Sequence, residues 1–335
     1  MTSSHVRGHG SAVPPLRFVL PAAVLALLAL CGLCLGTPVI APHHLPAVLA
    51  DHASLEYVVL WELRLPRLLL GLLGGAAVAV AGLLLQEALR NPLAVPELLG
   101  VSSGAAVAVA ACVIWALPVS PSLHPLVGLA GAAAGGGITL AAARTARTAG
   151  GVLLIGSAVT AAIQALLLAI MATADRLQYD LLFRYLVGSL NGILWEQVSR
   201  TLPWLVLAVP LVVLAVPALG LLRLGDEAAT SLGAGVTAAR TGVLAVAALL
   251  VGAVTGPCGP IAWVGFVAPL LARRIRPDGD ARSWTCWTAV LGATITVAAD
   301  QVARLALAPV ETPLGAWTVL IGVLAGTALL RRGAR

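Results

Sequence analysis

The chain has 335 residues, of which 60% are hydrophobic and only 10% charged, with a mean hydropathy of +1.00. Soluble domains carry about a quarter charged residues, so this composition excludes a globule surrounded by water and points to lipid. The formal charge of +6 rests on arginine alone, because the sequence contains no lysine; a P-loop lysine and a Schiff-base lysine are both excluded.

A bilayer-spanning helix needs about 20 apolar residues. Apolar windows predict ten spans, at 16–36, 66–88, 98–117, 125–143, 152–174, 201–222, 241–257, 260–272, 285–308 and 314–330. The expected fold class is therefore an all-α polytopic integral membrane protein. A single transmembrane domain over 16–331 lies between short tails at 1–15 and 332–335. Arg7 and Arg17 precede the first span. It is too long for a signal-peptide core and no small-x-small cleavage site follows, so it reads as a retained helix. Cys31 and Cys34 form a CxxC inside this span with no second pair nearby, which favours inert thiols over metal or redox chemistry. His43, His44 and His52 follow in the next loop, again without a partner cluster. Gly259 and Pro260 open the short eighth span, which is expected to tilt or to cross incompletely. Two GxxxG pairs, Gly71/Gly75 and Gly131/Gly135, fit either a seam between subunits or close packing within one chain.

Placing the N-terminus in the cytoplasm and alternating assigns fourteen arginines inside and six outside, which obeys the positive-inside rule and puts both termini in the cytoplasm. The spans are nearly free of ionisable groups. Asp300 and Arg304 are the main internal pair, spaced to meet on one helix face toward the outer end. A midplane carboxylate, which ion-coupled transporters carry at a cost, is missing from the pattern. No paired Asp or Ser/His set lies near midplane to suggest an intramembrane enzyme.

The punctuation between spans is patterned. LRLPR (Leu63–Arg67), RNPLA (Arg90–Ala94), LLGVSSGA (Leu98–Ala105), LLIGSAV (Leu153–Val159) and YLVGSLNG (Tyr185–Gly192) come first. GDEAATSLG (Gly225–Gly233), GPIAWVGFVAPLLAR (Gly259–Arg273), ADQVARL (Ala299–Leu305) and ETPLGAWTVLIG (Glu311–Gly322) follow. In this order they resemble the FecCD-type permeases, the membrane subunits of ATP-binding-cassette (ABC) importers for iron-siderophores, haem and cobalamin. The resemblance runs from about residue 16 to 330.

That resemblance implies a ten-helix subunit that pairs with a second copy or a paralogue around a central path. ATPase subunits, which bind ATP and Mg, dock on one side, and an extracytoplasmic substrate-binding protein on the other. The chain itself would be no enzyme, bind no cofactor or metal, and meet lipid but no nucleic acid. Gly225, Asp226, Glu227, Ala228, Ala229 and Gly233 match the EAA-type coupling helix, although a plain loop helix shows the same short pattern. An acidic start suits a helix N-terminus, and Gly233 suits its end. Arg64, Arg67 and Arg304 match the docking arginines, with interfacial anchoring as the other reading of the first two. Asn91, Leu93, Ala149 and Gly150 match the cytoplasmic gate. Tyr179, Tyr185, Asn191 and Trp195 fall on the segment lining the cavity mouth, where aromatics fit a chelate or the membrane interface. Leu270 after Pro269, and Val323 to Ala325 after Gly322, depart from the family pattern. The expected function is import of ferric siderophores across the cytoplasmic membrane. Cobalamin or haem import is the near alternative, and an ion-coupled secondary transporter a distant one.

Overall fold

The computed structural model describes residues 16–120, 123–143, 149–176, 178, 182, 186–233 and 235–333. Among these residues, ten helices of twelve residues or more make up the body of the molecule. They are α1 (Leu16–Cys34), α2 (Leu65–Ala88), α3 (Val101–Ile114), α4 (His124–Ala143) and α5 (Ala149–Met171), then α6 (Trp195–Arg223), α7 (Val236–Cys258), α8 (Val264–Ile275), α9 (Ala281–Leu305) and α10 (Leu314–Gly333). Each covers one predicted span, with ends shifted by up to six residues. Among the described residues, five stretches are long and apolar enough to cross a membrane, and α8, at twelve residues, is not among them. At about 1.5 Å per residue it reaches roughly 18 Å, well short of a bilayer core of about 30 Å.

Local chemistry sets the helix ends. Pro66 stands in the first turn of α2, where its missing N–H costs nothing. Asp280 caps α9 by accepting the Ser283 N–H at 2.9 Å. Gln197 reaches back to accept the Leu194 N–H at 3.0 Å, which starts α6 ahead of its apolar run. Gly259, at φ +68°, terminates α7 and turns the chain into Pro260.

α2 is the hub. It packs against α9, α7, α8 and α6, while α3, α4 and α5 form a second layer joined through α7. In lipid, apolar burial gives little drive between helices, so close backbone approach carries the association. A Cβ on Gly82 would stand 1.8 Å from the Gly265 carbonyl oxygen of α8, and one on Gly75 would stand 2.6 Å from that of Gly292 in α9. The second GxxxG pair is used in the same way: Gly131 and Gly135 lie against the backbone of Gly104 and Gly100. Both motifs thus pack helices within this chain. The apolar faces of α6 turn outward instead, with Val206, Leu207, Val209, Val213 and Leu214 exposed.

Candidate functional sites at the two ends of the bundle

The end that carries Arg64, Arg67 and Arg304 is built around the last turn of α1. A π-helical turn, Val59–Arg64, leads into α2 and directs Arg64 inward. The Arg64 side chain is buried and donates to the carbonyls of Leu33 (2.6 Å), Cys34 (3.3 Å) and Pro38. Arg304 donates to Gly32 O (3.0 Å) and Leu35 O (2.6 Å). The final carbonyls of a helix lack intrahelical partners, and two guanidinium forks supply them here. Cys31 and Cys34 are free thiols beside this junction, with Cys34 buried.

Arg67 makes a different set of bonds. Its Nε lies 3.1 Å from both Asp300 oxygens, its Nη2 2.8 Å from Asp300 Oδ1, and its Nη1 2.8 Å from Glu311 Oε2. The Arg67–Asp300 pair is buried, at 9% and 5% exposure. This corrects the expected Asp300–Arg304 pairing within one helix. The α2 fork meets Asp300 side-on and bidentately, which a neighbour one turn away on α9 cannot match, so Arg304 is free to reach α1. All three arginines therefore serve intrachain contacts, and of the three only Arg304 is partly exposed. A ring ladder lies at the same end: His52 on Tyr57 at 4.5 Å, Tyr57 on Trp61 at 6.1 Å, and Trp61 beside Trp195 at 5.6 Å. Trp195 Nε1 also donates to Trp61 O at 2.9 Å. Tyr179 and Tyr185 lie outside the described residues. The described residues contain no group of three or more His, Cys, Asp or Glu placed to hold a metal ion.

The opposite end carries the short helix Asp226–Ser231. Gly225, at φ +101°, turns the chain into it, and Gly233, at φ +80°, follows it. Asp226 points back to the bundle, with Oδ1 2.8 Å from Arg240 Nη2 and 3.8 Å from Arg90 Nη2. Arg240 also donates to the last carbonyl of α2, Ala88 O, at 3.0 Å. Ala229 is buried against the bundle, while Glu227 and Ala228 face outward. Nearby, Glu87 lies 3.1 Å from Arg273 and 3.3 Å from Arg223, whose guanidinium stacks 4.2 Å over the Trp284 ring. Sequence reading singled out none of Glu87, Arg90, Arg223, Arg240 or Arg273 individually. Their partners lie up to 187 residues apart, beyond any spacing rule.

Next to this end, the turn after α2 presents Asn91 and Leu93. Asn91 Oδ1 accepts the Leu93 N–H at 2.9 Å and fixes the turn, leaving Leu93 exposed at 55%. Leu93 borders a cavity of about 370 Å³, lined also by Glu97, Leu98, Ala262, Trp263 and Phe266. Glu97 sits in the turn Pro96–Leu99, between α2 and α3. Desolvation in this pocket pushes its carboxyl up to about 7, opposed by the nearby main-chain N–H dipoles of Glu97 and Trp263, while the side chain stays partly exposed. Ala149 and Gly150 form the first turn of α5, and their surroundings lie outside the described residues.

Comparison with known proteins agrees with this architecture. The chain is 33% identical over 312 residues to the Fe(3+)-citrate import system permease protein YfmE of Bacillus subtilis, spanning 92% of each. It is 37% identical over 279 residues to the vitamin B12 import system permease protein BtuC of Vibrio cholerae, spanning 81% of this chain and 82% of that one. A solved inward-facing metal-chelate type ABC transporter shares the fold, with a TM-score of 0.85 at 24% identity over 95% of this chain and 100% of the other. Residues 24–332 match the FecCD transport family, and the chain belongs to that family.

Proposed function

We propose that this chain is the membrane permease subunit of an ABC importer that moves ferric siderophores or related ferric chelates, powered by a separate ATPase. The observation that carries this reading is the family match over nearly the whole chain, joined to an outward-facing Glu227 on a short helix at one end. Relatives named for ferric citrate import favour iron, and the relative named for vitamin B12 makes cobalamin the second reading. Haem stays with cobalamin as an alternative.

In this reading the segment Gly225–Gly233 is the coupling helix. Glu227 and Ala228 face the ATPase, and Asp226 ties the helix to α7 through Arg240. ATP binding by the partner then pulls on α2 and α7 together, because Arg240 holds both. Asn91 and Leu93, with Ala149 and Gly150, form the gate at that side. The acidic lobes of a substrate-binding protein dock at the other end. There Arg304 is the accessible guanidinium, and Arg64 and Arg67 brace the seat beneath it. A second copy or a paralogue completes the path. Both termini face the cytoplasm, as the arginine distribution favours.

Uptake of radio-iron as a ferric siderophore, in cells carrying this gene with its neighbouring ATPase, tests the reading. Inactivating the ATPase should abolish uptake, and collapsing the ion gradient at constant ATP should leave it intact. The reverse result would indicate an ion-coupled secondary transporter.

A further inference from the structure

The cavity beside Leu93 holds a group for which the permease reading has no use. Among the described residues its lining side chains are apolar except for Glu97. None of the ion pairs among the described residues involves Glu97. Among the described residues, no side chain donates a hydrogen bond to its carboxylate, and the main-chain N–H dipoles of Glu97 and Trp263 act on it. Such dipoles orient a carboxylate but leave its charge uncompensated, which is costly in apolar surroundings.

Trp263 lines the same cavity and is held in place there. Its φ of +66° lies in the left-handed region, an outlier for a bulky side chain and the kind of backbone strain that gathers at ligand sites. α10 braces it: Gly322 packs so closely that a Cβ there would stand 2.6 Å from Trp263 Cβ. Its ring meets Phe266 edge-on at 5.6 Å, on the wall of the same cavity. A carboxylate beside an indole in an apolar pocket is the combination that recognises alkylammonium groups, by charge and by cation–π attraction. At about 370 Å³ the cavity stands at the low end of small-molecule pockets, so it admits one arm of a bulky cargo and not the whole chelate.

We propose that Glu97 and Trp263 form a binding site for an alkylammonium arm of the transported chelate, at the gate beside Leu93. The site favours amine-bearing chelates and disfavours anionic ones by like-charge repulsion. The identity of the cargo rests on the permease reading; the recognition chemistry does not.

Saturation-transfer NMR on the full chain tests the site, in nanodiscs made without amine-bearing lipid and with n-butylammonium and butyrate as probes. At about pH 8.5, above the Glu97 value of about 7, wild type is expected to transfer at least about fivefold more to n-butylammonium than to butyrate. E97Q should lose this excess, E97D should keep part of it, and W263L should weaken it. Equal transfer in wild type and E97Q, or equal transfer to both probes, overturns the proposal. Should E97Q fail to insert, a W263L signal equal to wild type overturns it instead. Radio-iron uptake is measured in parallel. Specific n-butylammonium binding without any chelate uptake would sink the transport reading and leave the site. Intact uptake with no Glu97-dependent binding would sink the site alone.

Discussion

Arg67 shows how much one side chain can decide. It lies in the LRLPR motif, which from the sequence alone reads as outward-facing. In the fold its guanidinium is committed to Asp300 and Glu311. Removing one partner of a buried pair strands the other charge, at a cost of about 3–5 kcal/mol. R67A should therefore lower the melting temperature of the detergent-solubilised protein by several degrees, and an unchanged melting curve would refute the burial of this pair. R67E brings three carboxylates together and tests stability more than docking. Arg304 is the better docking probe, being partly exposed at the same end. R304E should weaken association with the binding protein, most strongly at low ionic strength, where screening is least. Equal affinity at low salt would remove Arg304 from the contact. None of these pairings was legible beforehand: Arg67 and Asp300 are 233 positions apart, and only the fold brings them together.

At the scale of helices, hydropathy was enough to find the ten long helices among the described residues, because each is built on a run of apolar residues. The ends were less legible. α6 begins at Trp195 and not at 201, because Trp195–Arg200 is polar and its start depends on the Gln197 cap. α7 likewise begins at Val236, ahead of its apolar run, with Arg240 drawn toward Asp226 and the end of α2. The small-residue motifs announced close packing but not the partner helix. Their role in this chain gives a paired prediction. G82A should separate α2 from α8 and cost about 1–3 kcal/mol or more, as overpacking does. G137A should be neutral, since a Cβ there meets nothing within 4 Å. Thermal stability of the two purified variants checks this, and equal melting temperatures would contradict the α2–α8 contact.

For the whole molecule, the two ends divide the work. One end ties α1, α2 and α9 together through arginines, and is the end proposed for docking. The other ties α2, α7 and the helix Asp226–Ser231 through Asp226 and Arg240, with the Leu93 cavity close by. A push on the short helix thus reaches the hub helix directly. The motifs that define the family were legible in the sequence, and with them the permease function. The shared cavity of Glu97 and Trp263 was not, because two residues 166 positions apart meet only across the fold.

Radio-iron uptake from a panel of ferric siderophores, in an iron-starved deletion strain, tests the central claim most directly. The strain is complemented with wild type or E227R, which reverses the charge proposed to face the ATPase. Wild type is predicted to restore uptake of at least one chelate, and E227R to restore none while inserting normally. Full uptake by E227R would contradict the coupling role of the helix, and no restoration of any siderophore by wild type would contradict ferric-siderophore import.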